Sequence, residues 1–149
     1  MTRRLTLAVF AVLLLTTPAL AQELPQPQKH EKARWFRIVR TKYKVGKTWE
    51  ARELIRTHLV PATEASGVAA PVMEFHHQTG PWDETVIWAM AEGPAAMEWA
   101  LHPEFTKWFA TLAKLEGGAD KAWAVLGKYT DLVEREETDL VLQRPFTVR

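Results

Sequence analysis

The order of hydrophobic patterns after residue 34 limits the fold of this chain more than any other feature of the sequence. Aromatic and β-branched residues run from Trp35 to Tyr43 and predict a strand. After Thr48, apolar residues recur at helical spacing, which predicts an amphipathic helix. Two further strands, joined by a Gly-Pro turn, are predicted over residues 72–79 and 84–91.

The C-terminal half completes the pattern with two helical segments and a strand. One helix is predicted from residue 94, and it breaks at His102 because the following proline disfavours helix at that position. An extra helix over residues 119–133 precedes a fourth strand over residues 138–142. Apart from this extra helix, the order of strands and helices is βαββαβ, which predicts an α+β, ferredoxin-like antiparallel sheet with helices on one face. The other face must meet solvent, a ligand or a partner.

The N-terminus predicts export. Residues 1–21 combine two early arginines, an apolar stretch over residues 5–15 and an Ala-Leu-Ala cleavage site, the pattern of a secretory signal peptide. The apolar stretch is shorter than the roughly 20 residues that cross a bilayer. We therefore expect a soluble periplasmic or secreted protein that has no membrane anchor after signal cleavage.

The remaining chain is long enough for one domain. Residues 22–33 are polar and contain two prolines, so a flexible lead is predicted before a single domain at 34–149. Without the signal segment the chain has 17 basic and 18 acidic residues. This near-neutral charge argues against nucleic-acid binding, which depends on clustered phosphate neutralisation. The absence of cysteine excludes disulfides and thiolate metal sites.

Four motifs cover a strand-to-helix opening, a hairpin, a mid-helix proline and a closing strand. In order they are Arg40–Lys47 (RTKYKVGK), Thr79-Gly80-Pro81 with Glu84, Val86 and Trp88, His102–Trp108 (HPEFTKW), and Glu136–Phe146 (EETDLVLQRPF). Together these motifs resemble NIPSNAP-like proteins of the dimeric α+β barrel superfamily. The resemblance implies the same fold and a homodimer in which two sheets enclose a cavity. The signal segment and the helix at 119–133 depart from the family pattern.

The tryptophan content also favours a homodimer. Seven tryptophans are many for a domain of this size, and tryptophan is enriched where a surface is buried against a partner. The alternative is that these side chains fill the core of a monomer.

Strand alternation selects the candidate site residues. Within residues 72–79, Glu74 and His76 share one face, while Met73 and Phe75 share the other. Because Met73 and Phe75 are apolar, we expect them under the helices, which directs Glu74 and His76 toward the cavity or the dimer interface. Glu74 can orient the imidazole or tune its basicity.

Several roles remain open for this pair. His76 and Glu74 are candidate ligand-binding and catalytic residues, and Trp88 is a candidate apolar wall. The pair can also be a simple hydrogen-bonded surface pair, or a general base for a small acidic substrate. Two ligands make an incomplete metal site, so no metal or cofactor is predicted. Elsewhere, His58 and His77 are expected to pack beneath or within the helices, and His102 to cap one.

Three functions follow from these observations. The first is an exported, homodimeric NIPSNAP-like protein that binds a small apolar or aromatic ligand in the dimer cavity. The second is a cofactor-independent enzyme of the oxygenase or isomerase kind, which rests on fold analogy. The third is a non-catalytic protein-interaction module. The sequence leaves open whether any reaction is catalysed.

Overall fold

The computed structural model describes residues 26–30 and 32–145 of the chain. The predicted signal peptide at 1–21 lies outside the described residues. Four strands and four α-helices follow the predicted order: β1 Arg34–Tyr43, α1 Thr48–Leu54, α2 Val60–Ser66, β2 Met73–His76, β3 Glu84–Met90, α3 Pro103–Glu116, α4 Ala119–Leu132 and β4 Val133–Gln143.

The four strands form one antiparallel sheet in the order β2-β3-β1-β4. The two strands at the centre are β1 and β3, whereas β2 and β4 are edges. This order is that of the βαββαβ plan, so the predicted α+β, ferredoxin-like class is confirmed.

The helices cover the face of the sheet to which Tyr43 belongs. The Tyr43 side chain is buried with Ala51 of α1 and Leu132 of α4. A 3₁₀ helix, Gly93–Glu98, lies over the other end of β1. A β-carbon on Gly93, which has a φ of 60°, would approach the Trp35 ring to 3.0 Å, so the close contact requires glycine.

A second core joins the helices to one another. Leu112 of α3 is fully buried against Ala62 of α2 and Ala122 of α4. Small residues on α2 and α4 let these helices approach the leucine closely. The helix layer therefore has a hydrophobic core of its own, separate from the cluster around Tyr43.

The first helix contains a π-helical turn, Ile55–Leu59, between α1 and α2. Pro61 follows this turn and lies in the first turn of α2. Proline at this position cannot donate to the carbonyl four residues earlier, and a wider turn accommodates the missing bond. The helical run therefore widens at this turn and continues to Ser66.

The strand boundaries differ from prediction in two places. Strand β4 begins at Val133, five residues before the predicted start, because its charged residues pair with β1 while their side chains remain exposed at the sheet edge. Strand β2 ends at His76, since the following residues belong to the turn.

Within the part of the chain that the structure describes, no helix has both the length and the apolar character that crossing a bilayer requires.

Candidate functional site

Glu74 and His76 lie on the helix-covered face of the sheet. His76 pairs with Glu84, which in turn pairs with Thr41, and side chains of directly paired residues share a face. Thr41 is two residues from Tyr43 on β1, so all these side chains belong to the face that the helices cover.

The predicted facing of β2 was therefore wrong. Met73 and Phe75 point away from the helices and are 56% and 50% exposed. Edge strand β2 is half-exposed on both faces, so the apolar character of these residues does not bring them into the core. The same reversal applies to His77, which is exposed and lies 2.7 Å from the Thr85 hydroxyl on the opposite face.

Three titratable side chains converge where β2 ends and β3 begins. The His76 Nε2 atom lies 2.8 Å from Glu74 Oε1 and 3.5 Å from Glu84 Oε1. Glu84 is only 3% exposed, whereas the side chains of His76 and Glu74 are 44% and 48% exposed. The cluster therefore has a buried floor and an open side that solvent or a small molecule can reach.

Tyr43 anchors the buried end of the cluster. Its hydroxyl donates a hydrogen bond to Glu84 Oε2, and the Tyr129 ring meets the Tyr43 ring edge-on, with 6.4 Å between the ring centroids. Because Tyr43 takes one carboxylate oxygen, the other oxygen of Glu84 is directed toward His76. Burial in this core raises the pKa of Tyr43 and of Tyr129, so both phenols stay protonated.

The two carboxyl groups of the cluster have opposite electrostatic environments. Burial raises the pKa of Glu84, and its hydrogen bond with Glu74 raises it further. The same contact lowers the pKa of Glu74, which also accepts from His76 and is close enough to Arg52 to interact with its charge. Glu74 is therefore the anion of the pair and Glu84 the group that retains a proton more readily.

Trp88 lies on the same helix-covered face as the cluster, four residues after Glu84 along β3. It pairs with Arg37, and the Arg37 guanidinium lies 5.7 Å from the centroid of its ring. Val86, which pairs with both Glu74 and Val39, lies between Trp88 and Glu84. The face thus continues from the polar cluster into an apolar strip of half-buried side chains.

Sequence reasoning missed Glu84 and Tyr43 as members of the site. The signal available was the hairpin itself, because a turn between His76 and Glu84 brings these two residues opposite each other. Together Glu74, His76 and Glu84 form a group of potential metal ligands among the described residues, with ligand atoms within 4.8 Å of one another.

The other predicted histidine roles have mixed outcomes. His102 caps α3, where its Nδ1 accepts from the Glu104 backbone N–H at 3.2 Å, so the capping prediction is confirmed. His58 Nδ1 lies 2.7 Å from Glu116 Oε1, but its side chain is 38% exposed, so the expectation that it packs within the helices is met only in part.

The raised pKa of Glu84 predicts a pH-dependent stability. Below its ordinary pKa of 4.5 this carboxyl is protonated in both the folded and the unfolded chain, and its favourable contribution to the free energy of unfolding is fully present. As the pH rises above 4.5, the Glu84 carboxyl ionises first in the unfolded chain. Stability is therefore lost until the pH passes the pKa of Glu84 in the folded chain. We expect the free energy of unfolding of Glu84→Gln to fall less than that of the wild type as the pH rises above 4.5, measured by urea denaturation.

Glu74 provides the internal check on this result. Its lowered pKa contributes stability above pH 4.5 that disappears as the pH falls below that value, so the two groups act in different ranges. Equal pH slopes for the wild type and Glu84→Gln above pH 4.5 would contradict the assigned environment of Glu84.

Comparisons with known proteins agree on the fold. No protein-family model and no curated protein matches the sequence. Among solved structures, the chain is similar to a NIPSNAP family protein of unknown function from Agrobacterium tumefaciens strain C58, with a TM-score of 0.54 and 18% identity over 79% of this chain and 95% of that one.

A second NIPSNAP family protein from the same strain gives a similar result. Its TM-score is 0.53 and its identity 16%, and the match covers 77% of this chain and 96% of that protein. At such identities the likeness defines the fold and no activity. It agrees with the family resemblance of the four sequence motifs, and the chain therefore has a NIPSNAP-like, ferredoxin-like α+β fold.

Proposed function

We propose that this chain is an exported, homodimeric, NIPSNAP-like protein that binds a small amphiphilic molecule on the helix-covered face of its sheet. The observation that carries the proposal is the convergence of Glu74, His76 and Glu84 beside an apolar strip. A few directed polar groups next to apolar walls are typical of small-molecule sites.

The polar cluster would bind one end of the ligand. His76 offers an imidazole that is 44% exposed, and Glu74 offers a carboxylate of similar exposure. The buried side chains of Glu84 and Tyr43 lie on the core side of this pair. A ligand hydroxyl, or another ligand group that both donates and accepts hydrogen bonds, fits this cluster. The imidazole and the carboxyl groups provide donors and acceptors next to one another.

The apolar strip would bind the body of the ligand. Val86 and Val39 pair next to Glu74, and Trp88 follows on the same face. The Trp88 ring offers a flat surface for an aromatic or aliphatic group. A small apolar or aromatic molecule with one polar substituent is therefore the ligand class that this face fits.

The homodimer would use the opposite face. Met73 and Phe75 are half-exposed there, next to Ile87, which pairs with both Met73 and Ile38. Exposed apolar side chains on one sheet face mark an interaction surface. In this arrangement the two sheets meet through that face, and each chain keeps its own ligand site beneath its helices. Export rests on the signal-like residues 1–21.

Replacing His76 tests the ligand site. We expect His76→Ala to weaken binding of the native ligand about tenfold, since it removes one directed polar contact worth roughly 1.4 kcal/mol. Native mass spectrometry of the mature protein from its own host identifies the copurified molecule and counts the subunits. Titration of the identified molecule against both proteins then gives the affinity ratio.

The matched control is His77→Ala. His77 is adjacent in sequence but lies on the opposite face, where it contacts Thr85. We expect its affinity to equal that of the wild type. Equal losses in both variants, or a mature protein that is monomeric and carries no molecule, would contradict the proposal.

A second candidate function is catalysis without a cofactor. It is favoured by the opposed pKa shifts of Glu74 and Glu84, because neighbouring carboxyls in different protonation states can supply a base and an acid. If His76→Ala abolishes turnover of the identified molecule and keeps its binding, the enzyme is the better description.

A further inference from the structure

The Glu74–His76–Glu84 cluster has the ligand set of a metal site. Carboxylate oxygen and imidazole nitrogen both bind first-row divalent metals at about 2.0–2.2 Å, so two ligands of one ion lie roughly 3–3.5 Å apart. His76 Nε2 lies 2.8 Å from a Glu74 oxygen and 3.5 Å from a Glu84 oxygen. The spacing is already close to that of ligands around one ion.

The backbone holds these ligands in register. His76 and Glu84 are directly paired across β2 and β3, and Glu74 is two residues along the same face of β2. Sites on paired strands are more rigid than sites on loops, which lowers the cost of assembling the ligands. Only small side-chain movements are needed to bring the three atoms around an ion.

The buried carboxylate fits the position of a metal ligand. Glu84 is 3% exposed, and its Oε1 faces His76 at 3.5 Å, beyond the 2.7–3.2 Å of an ordinary N–H···O bond. Glu84 is also hydrogen-bonded to the Glu74 carboxyl, so a proton lies between the two groups when no ion is bound. A cation bound by both carboxylates would take the place of this proton.

Tyr43 fits the role of an orienting group. Its hydroxyl donates to the second oxygen of Glu84, which fixes the carboxylate so that Oε1 points at the other two ligands. Hydrogen bonds of this kind to ligating carboxylates hold them in position and tune their basicity. Tyr43 is buried in the core with Ala51 and Leu132, so it is itself held in place.

We infer that Glu74, His76 and Glu84 bind one first-row divalent transition metal ion, with Zn²⁺ as the representative. The inference deepens the proposed function, because the ion would lie where the polar end of the ligand binds, but it stands on the ligand geometry alone. Three protein ligands leave at least one coordination position for water or the ligand. The imidazole ligand favours Zn²⁺ over Mg²⁺, which prefers oxygen ligands.

Isothermal titration with Zn²⁺ tests the inference on the full mature protein after treatment with a chelator. We expect one Zn²⁺ per chain, at least tenfold weaker binding in His76→Ala and Glu74→Gln, and much weaker binding of Mg²⁺ to the wild type. His77→Ala is the control and should bind Zn²⁺ like the wild type. Circular dichroism checks that each variant is folded, and both site variants replace half-exposed side chains.

The possible results separate the two proposals. The metal site is overturned if the wild type takes up no stoichiometric Zn²⁺, or if His76→Ala and His77→Ala bind it equally. Titration of the copurified small molecule into chelator-treated protein is a separate measurement. The same titration is repeated on Zn²⁺-loaded protein. Zn²⁺ binding with no small-molecule binding to either form overturns only the proposed function, and small-molecule binding without Zn²⁺ binding overturns only the metal site.

Discussion

Leu112→Ala should lower the free energy of unfolding by about 2–5 kcal/mol, the range of large-to-small substitutions in protein cores. Leu112 is fully buried where three helices meet, and it packs against Ala62 and Ala122. These two buried neighbours are alanines, which cannot fill the space that the leucine leaves. Urea denaturation followed by far-ultraviolet circular dichroism gives the change directly.

Leu115→Ala is the matched control for this experiment. Leu115 lies on the same helix, one turn away, and is 52% exposed. We expect its replacement to change the free energy of unfolding by less than about 0.5 kcal/mol. A loss at Leu115 as large as that at Leu112 would contradict the difference in burial between these two residues.

Tyr43→Phe should cost about 1–3 kcal/mol of stability, because it leaves a buried carboxyl without its hydrogen-bond donor. The ring remains and continues to pack against Ala51 and Leu132, so the loss measures the hydroxyl and not the aromatic contact. The cost should grow as the pH rises above 4.5, since the hydroxyl stabilises the ionised form of Glu84.

A double-mutant cycle with Glu84→Gln isolates this contact. If the hydroxyl acts through Glu84, the double variant should lose less stability than the sum of the two single variants. Losses that add to within about 0.3–0.5 kcal/mol would show that the two side chains are energetically independent. Urea denaturation of all four proteins at one pH provides the comparison.

The order of secondary structure could be predicted from local patterns. Strand β1 and the helical run after Thr48 have clear periodicity, and the His102-Pro103 pair marks the start of α3 through capping and backbone restriction. These signals act between residues close in sequence. The sheet order then followed from the limited number of ways in which a βαββαβ chain folds.

The composition of the site was less predictable, for two physical reasons. On an edge strand such as β2 hydrophobicity does not determine which face turns inward, so Met73 and Phe75 were assigned to the wrong side. Glu84 joins the site through strand pairing and through Tyr43, which is 41 residues away. Single-sequence periodicity contains no information about such distant contacts.

The position of β2 in the sheet has a consequence for how the cluster behaves in time. This strand has four residues and a single neighbour, β3, whereas β3 and β1 are each held from both sides. Short strands with one neighbour detach in local fluctuations that leave the rest of a domain folded. Glu74 and His76 would then separate from Glu84 during each such opening. An ion or ligand that contacts all three residues would keep β2 paired with β3 and make these openings less frequent.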